Sequence, residues 1–136
     1  MNNKKVAEIY AESEKEAKTN NLFINGKDIY SYGYHFKIAH KESKNLVLFN
    51  WLGYSQTTAK HKSFVLRALL NKGFDVLFII NAEATEKNIK AQLNKNNKEI
   101  ETLLIKKTKT ERTTQIKKER INFLREQNIL IKNLSI

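Results

Sequence analysis

The pattern of apolar and polar positions divides the chain into an alternating first part and a helical second part. Residues 4–18 combine strong helix formers with few large apolar side chains, which is typical of a short and mostly exposed helix. Apolar residues 22–24 follow, and then Asn25-Gly26, a pair that tolerates the positive φ angles of a tight hairpin turn. The pattern therefore predicts a helix and then a chain reversal.

Residues 28–40 alternate between two faces and predict one strand with an aromatic side. The positions on that side are Tyr30, Tyr32, Tyr34, Phe36 and Ile38. Such a row is more often one side of a hydrophobic core, so we expect Tyr32, Tyr34 and Phe36 to be buried. The alternative is a base-stacking platform beside lysines. Residues 46–52 are apolar on both faces and indicate a central strand, with Trp51 in the core.

The next segment predicts a helix packed on this sheet. It begins at about Ser55 or Thr57, ends near Asn71 and is stopped by Gly73. Residues 74–80 predict a further buried strand. We therefore expect an α+β domain over residues 1–81, in the order α-β-β-β-α-β, with an antiparallel sheet of three to four strands packed on one helix.

The remainder, residues 82–136, predicts a basic helical extension. Residues 82–107 carry apolar positions at helical spacing, and a break is expected between Thr110 and Thr114, where hydroxyl groups can cap a second helix. Asn128 is the expected end of that helix. Residues 129–136 are β-prone, and we expect them to add a short edge strand or to trail from the domain.

The overall charge favours an anionic partner. The chain has 25 Lys and Arg against 14 Asp and Glu, a net charge of +11, and a field of that sign attracts polyanions. The alternative is a composition that mirrors an AT-rich genome. Cysteine is absent and the three histidines are scattered, so we expect no disulfide, no metal site and no cofactor. No apolar run approaches the roughly 20 residues of a membrane span, and a cytoplasmic protein is expected.

The start of the helix after Gly53 concentrates groups that bind anions. A helix N-terminus has unpaired N–H groups and a partial positive charge, and hydroxyl and ammonium groups add further donors. Lys60 and Arg67 are seven residues apart and are expected on one face, as a stripe that follows a phosphate backbone. The alternative is a capped helix in which His61 packs locally and the lysines are solvated. The candidate residues are Thr57, Thr58, Lys60, His61, Lys62 and Arg67.

The densest positive run lies in the predicted extension. Several like charges together usually form a solvated segment. Contacts of such a segment with nucleic acid would be to phosphates, which add affinity and salt dependence without sequence choice. The candidate residues are Lys106, Lys107, Lys109, Arg112, Lys117, Lys118 and Arg120.

Two motifs in residues 24–70 carry a resemblance to known proteins. The matching positions are Tyr30, Ser31, Tyr32 and Gly33, then Tyr54, Ser55, Thr57, Thr58, His61, Ser63, Val65, Ala68 and Leu69. This pattern, Tyr-Ser-Tyr-Gly followed by Tyr-Ser-x-Thr-Thr-x-x-His, resembles a family of small uncharacterised proteins from bacteriophages and mobile elements. The resemblance implies a phage-type context, with the cytoplasm of a bacterial host as the location, and implies no particular chemistry.

A second likeness concerns architecture alone. A helix, three antiparallel strands and a helix with a lysine-rich start is the order of a double-stranded RNA-binding domain, in which that helix start lies over phosphates. Lys60 and Lys62 would take that part. The alanine-rich packing of that domain's second helix is missing here, and residues 74–80 add a strand.

The residues do not predict an enzyme. The region from Val47 to Asn71 contains no Asp or Glu to hold a catalytic metal ion, and no phosphate-binding glycine loop or nucleophile elbow is present. A metal-free activity of His61 with Lys60 is the remaining catalytic alternative.

Two classes of binding function follow instead. The first is a protein that contacts RNA, DNA or a nucleic-acid-protein complex through the basic helix and tail. The second is an inhibitor of a host defence nuclease or ribonucleoprotein, of the anti-CRISPR type, that acts by protein contact. In the second case the C-terminal helices are also a candidate surface for a homodimer.

Overall fold

The computed structural model describes residues 1–13, 15–53 and 55–134, except for the side chain at position 35. The fold is α+β, as predicted. The chain divides into two compact units, an N-terminal unit of residues 1–83 and a C-terminal unit of residues 84–136. Among the described residues, no helix is both long enough and apolar enough to cross a membrane.

The N-terminal unit is built from two helices and a five-stranded sheet. The helices and strands are α1 (Asn3–Glu12), β1 (Leu22–Asn25), β2 (Asp28–Ser31), β3 (Phe36–Lys41), β4 (Leu46–Phe49), α2 (Gln56–Lys72) and β5 (Asp75–Phe78). The strands lie in the order β1-β2-β3-β4-β5. The pairs from β1 to β4 are antiparallel, whereas β4 and β5 are parallel. The sheet is therefore mixed and larger than the expected three to four antiparallel strands.

The extra strand arises because the predicted strand over residues 28–40 is interrupted. Tyr32 and Gly33 have left-handed backbone angles, φ 57° and 65°, and a short 3-10 turn follows before β3 begins. Alternation across this break is lost. Phe36 is buried as expected, but the expectation that Tyr34 is a core residue is wrong, because its side chain is 72% exposed. Trp51 also lies outside the core, beyond the end of β4, and is 37% exposed.

Helices α1 and α2 pack on one face of the sheet and close the main core. α1 contributes Val6 and Tyr10, and α2 contributes Val65 and Leu69, all four without solvent exposure. The hydroxyl of Tyr10 donates to the carbonyl of Lys27, 2.7 Å away, which ties α1 to the turn between β1 and β2. The sheet residues in this core are Leu22, Ile24, Ile29, Phe36, Ile38, Ala39, Val47, Phe49 and Val76.

The ends of α2 follow the sequence signals. Ser55 caps the start, where its Oγ accepts from the N–H of Thr58 at 3.1 Å. Gly73 ends the helix with φ +92°, and its N–H and that of Phe74 satisfy the last carbonyls. An L side chain at Gly73 would be strained at this angle. Both predicted ends of the helix are confirmed.

The C-terminal unit is an antiparallel helical hairpin of α3 (Glu86–Ile105) and α4 (Glu111–Lys132). Thr110 caps α4, and a reciprocal hydrogen bond with Thr113 completes a capping box, so the predicted break is confirmed. Ile100, Ile121 and Leu124 form the apolar contact between the helices. The expected end of the second helix at residue 128 is wrong, and so is the alternative of an edge strand over residues 129–132, because these residues continue α4; positions 135 and 136 lie outside the described residues.

Candidate nucleic-acid interface

Several polar side chains at the start of α2 point into the protein and are buried. Thr58 and His61 are 0% and 2% exposed. The Oγ of Ser31, on β2, lies 2.7 Å from Nδ1 of His61 and 3.3 Å from Oγ1 of Thr58. On the other side of the ring, Nε2 lies 3.1 Å from the amide nitrogen of Asn3 on α1. These two candidate residues therefore hold together α1, α2 and the sheet.

The hydrogen bonds around His61 define its protonation state. The hydroxyl of Thr19 donates to Oδ1 of Asn3, which leaves the Asn3 amide to donate to Nε2 of His61. The remaining proton of a neutral imidazole then sits on Nδ1 and donates to Ser31. Burial lowers the pKa of His61 below its usual value. His61 is thus a neutral, internally bonded residue at neutral pH.

Lys62 is also engaged within the N-terminal unit. Its Nζ donates to the carbonyl of Leu52 at 2.9 Å. The ammonium lies 5.9 Å from the ring centres of Phe36 and of Phe49, and burial lowers its pKa. This half-buried lysine packs at the end of the core, and its ammonium has a partner inside the N-terminal unit.

Three of the six candidates on α2 face solvent instead. Thr57, Lys60 and Arg67 are exposed, and the side chains of Lys60 and Arg67 contact no acidic group among the described residues. The structure therefore splits the predicted α2 site into an internal half and an exposed half that consists of two cations and one hydroxyl.

The basic run in the C-terminal unit has a different placement. Residues 106–120, which we call the hairpin tip, form the connection between α3 and α4 and the first turns of α4. Two shallow depressions lie there. The first, of about 430 Å³, is lined by Lys106, Lys107, Lys109, Lys117 and Arg120 together with Leu103 and Ile116. The second, of about 610 Å³, is lined by Lys109, Arg112 and Lys118 with several threonines and Glu111.

Two of the seven tip cations hold the hairpin together. Nζ of Lys117 donates to the carbonyl of Lys106 at 2.9 Å. Arg120 binds Glu99 of α3 through two hydrogen bonds of 2.6 and 3.2 Å and lies over the ring of Phe123. The hydrogen bond from Arg120 lowers the pKa of Glu99. These contacts cross between α3 and α4 and fix the geometry of the tip.

The other five tip cations are free to meet a ligand. All five are exposed, and their charged groups have no hydrogen-bond or ion-pair partner in the part of the chain that the structure describes. We call them the open cations: Lys106, Lys107, Lys109, Arg112 and Lys118. The hairpin thus gathers five unpaired positive charges around one helix–helix connection.

The arrangement suits an extended anion better than a metal ion or a cofactor. Among the described residues, no three His, Asp or Glu side chains come together as metal ligands. The C-terminal unit carries 13 Lys and Arg against six Glu. Flexible ammonium groups spread over two adjacent depressions can each reach a different phosphate of a nucleic-acid backbone.

Sequence reasoning missed the partners that decide these roles. Asn3 and Thr19 are far from His61 in the chain, and no spacing connects them. Glu99 is one of several glutamates on α3, and only the hairpin register opposes it to Arg120. Ser31 carried a usable signal, since it belongs to the first motif while Thr58 and His61 belong to the second.

Comparison of the chain with family models, with curated proteins and with solved structures gave no match. The resemblance to phage and mobile-element proteins therefore stays a prediction. The structure adds one fact about its motifs: Ser31, Thr58 and His61 meet in a single buried hydrogen-bond network. Tyr54, which opens the second motif, lies outside the described residues.

Proposed function

We propose that this protein binds nucleic acid without catalysis and that the hairpin tip makes the phosphate contacts. The observation that carries the proposal is the set of five open cations gathered at one connection between two helices. Nearby Glu99 is already neutralised by Arg120, so it does not oppose an approaching phosphate. Lys60 and Arg67 on α2 are a second, smaller source of positive charge.

The chemistry of the tip predicts affinity without sequence choice. Each phosphate that a lysine or arginine neutralises releases counterions, so the association constant falls as salt rises. Contacts of the tip's charged and hydroxyl groups with phosphates position a nucleic-acid backbone and carry no sequence information. We therefore expect binding that is strong at low salt, weak at high salt and tolerant of sequence.

The buried network supports a non-catalytic role for the second candidate region. A serine hydroxyl 2.7 Å from an imidazole is the contact made by an activated nucleophile. Ser31, however, is 0% exposed, and its His61 partner is 2% exposed. No substrate bond can reach Ser31 Oγ in this fold. The pair is better explained as a buried structural hydrogen bond than as a catalytic pair.

The decisive experiment compares two charge reversals within the same unit. Lys109→Glu with Lys118→Glu changes the tip, whereas Lys87→Glu with Lys132→Glu makes the same charge change at the opposite end of the hairpin, where both lysines are exposed. Binding of a fluorescent oligonucleotide is measured from about 50 to 200 mM salt. We expect the tip variant to lose about tenfold or more in affinity and to reduce the salt slope by about one to two.

The variant Lys87→Glu with Lys132→Glu is the control for the change in net charge. It should keep most of the affinity and the wild-type salt slope, because its net charge equals that of the tip variant. Equal losses in the two variants would show that only net charge matters, and an absence of binding at low salt would refute the proposal.

A specific observation also favours the second function, inhibition of a host defence nuclease. Leu104, Ile105 and Ile116 at or beside the tip are 53%, 83% and 54% exposed. These aliphatic side chains make no favourable contact with phosphates, whereas an acidic protein surface with an apolar centre would bury them. In a pull-down with this protein as bait, a purified nuclease complex that stays bound after nucleic acid is digested would support this function over the first. The Ile105→Asp variant should fail to retain that complex.

A further inference from the structure

On the face of the sheet opposite α1 and α2, two aromatic residues and two lysines form a row across the first three strands. Lys18 pairs with Phe23 of β1 through an isolated bridge. Phe23 pairs in turn with Tyr30 of β2, and Tyr30 pairs with Lys37 of β3. Directly paired residues project to the same side of a sheet. Two aromatic rings therefore lie side by side with a lysine at each end, a combination that sequence alternation within one segment could not reveal.

A third aromatic ring stands upright on this row. Phe23 and Tyr30 stack, with centroids 5.1 Å apart and planes 16° apart. The Tyr34 ring meets Phe23 at 83° and Tyr30 at 70°, with centroid separations of 5.2 and 5.1 Å. The amide of Asn25 donates to the Tyr34 hydroxyl at 3.3 Å. Because Tyr34 contacts the other two rings at steep angles and is 72% exposed, much of its ring surface is accessible.

The break in the predicted strand places Tyr34 in this position. The left-handed angle of Tyr32, φ 57°, costs of order 1 kcal/mol or more in a residue with a side chain. Gly33 follows with φ 65° and turns the chain at once. The backbone thus accepts strain in the segment that holds a large aromatic ring in solvent, which is the opposite of what core packing would require.

A depression of about 340 Å³ lies against these rings. Its lining includes the rings of Phe23 and Tyr34 together with Glu16 and Lys18. Lys18 is exposed, and its ammonium has no partner among the residues described here, whereas Lys37 is paired with Glu83 at 3.6 Å. The depression therefore combines an aromatic wall, one open cation and one carboxylate acceptor.

We propose that Phe23, Tyr30 and Tyr34, the aromatic platform, bind an unpaired base of a single-stranded nucleic acid, with Lys18 at the adjoining phosphate. The proposal rests on the proposed function and adds a preference for single strands over duplex. Stacking requires the open face of a base, which a duplex hides, and it tolerates every base. A second copy of this face is a poorer occupant, because it would bring a second open Lys18 ammonium to the same small area.

The test replaces the exposed ring and keeps the fold. Tyr34→Leu removes the stacking surface, and Tyr34→Phe is the matched control that keeps the ring but loses the hydrogen bond from Asn25. Each is titrated with oligo(U), with oligo(dT) and with a duplex of random sequence. We expect Tyr34→Leu to weaken single-strand binding by about 5- to 100-fold and to leave duplex binding unchanged, while Tyr34→Phe stays within about twofold of wild type.

The two proposals fail in different ways. Unchanged single-strand affinity in Tyr34→Leu, together with the loss in the tip variant, would overturn the platform and leave the tip. A wild-type protein that binds single strands and loses this binding in Tyr34→Leu but not in the tip variant would support the platform and overturn the tip. No binding to any oligonucleotide at low salt would overturn both, and a dimer that Tyr34→Leu dissociates would reassign the rings to self-association. A difference between oligo(U) and oligo(dT) identifies RNA or DNA as the source of the base.

Discussion

The start of α2 and the hairpin tip have the same kind of sequence but opposite roles. Both concentrate lysine and threonine at the start of a helix, and both predict an anion site. In α2, Thr58, His61 and Lys62 bind internal partners. At the tip, five of seven cations bind nothing among the described residues. The difference teaches that a polar helix start indicates the presence of donors but not which acceptors they meet.

The neighbouring structure explains the difference. α2 starts beside the buried end of a sheet, where free carbonyl and hydroxyl groups have lost water and need a donor. The tip connects two helices whose apolar contact is small, with Ile100, Ile121 and Leu124 at its centre. The five open cations are exposed at this connection, so their charges remain in solvent.

A lysine-to-glutamate substitution in each region should give the largest difference in the free energy of unfolding. Lys62→Glu would place a carboxylate against the Leu52 carbonyl, which cannot donate to it, and beside the apolar rings of Phe36 and Phe49. We expect the free energy of unfolding to fall by at least about 2 kcal/mol. Lys118→Glu at the exposed tip should change it by no more than about 0.5 kcal/mol.

Urea unfolding followed by circular dichroism measures both variants, and Lys62→Met is the control that keeps the aliphatic stem of the side chain. It should be less destabilised than Lys62→Glu. If Lys62→Glu proved as stable as wild type, Lys62 would be a solvated residue after all. The contrast also means that a loss of nucleic-acid binding in a Lys62 variant identifies a contact only if circular dichroism shows that the variant is folded.

Most of the fold could be predicted because the signals were local. Ser55 and Gly73 mark the two ends of α2, and Thr110 caps the start of α4. Apolar residues at helical spacing predicted both long helices of the C-terminal unit. The failures required information from distant residues or from the backbone. The break at Tyr32 depends on a left-handed angle that an alternating sequence does not reveal, and α4 continues past residue 128 because helical contacts override the β-propensity of its last turn.

The candidate site could be predicted only in part, for a related reason. Sequence composition found every cation at the tip, since net charge does not depend on contacts. It could not separate Arg120, which binds Glu99, from Arg112, which does not. A base-stacking platform was only the alternative to a core position for the tyrosines, and its other members, Lys18 and Phe23, could not be predicted because they join Tyr30 only through strand pairing.

A smaller effect should appear as a pH dependence of the N-terminal unit. Burial lowers the pKa of His61, so between the folded pKa and the unfolded value of about 6.5 the unfolded chain binds more protons. The free energy of unfolding should therefore fall as the pH drops below about 6.5, with a slope of up to about 1.4 kcal/mol per pH unit. The exposed tip has no such group.

Unfolding by urea from about pH 7.5 to 5 tests this expectation, and His61→Gln is the comparison. The variant should be less stable at neutral pH and should lose the part of the slope that His61 causes. A wild-type slope that survives unchanged in His61→Gln would show that other groups produce it.

The smallest expected effect separates the two kinds of cation within the tip. Arg120 is held by Glu99 at 2.6 Å and lies over Phe123 at 5.1 Å, so it is a structural tie that is partly exposed to solvent. Arg120→Gln should lower the free energy of unfolding by no more than about 1 kcal/mol, and it should reduce nucleic-acid affinity less than Arg112→Gln, which removes an open cation. Thermal unfolding and oligonucleotide titration of the two variants measure these differences. A larger loss of binding in Arg120→Gln would place the phosphate contact at the pair with Glu99 and move the interface from the open cations to the helix–helix seam.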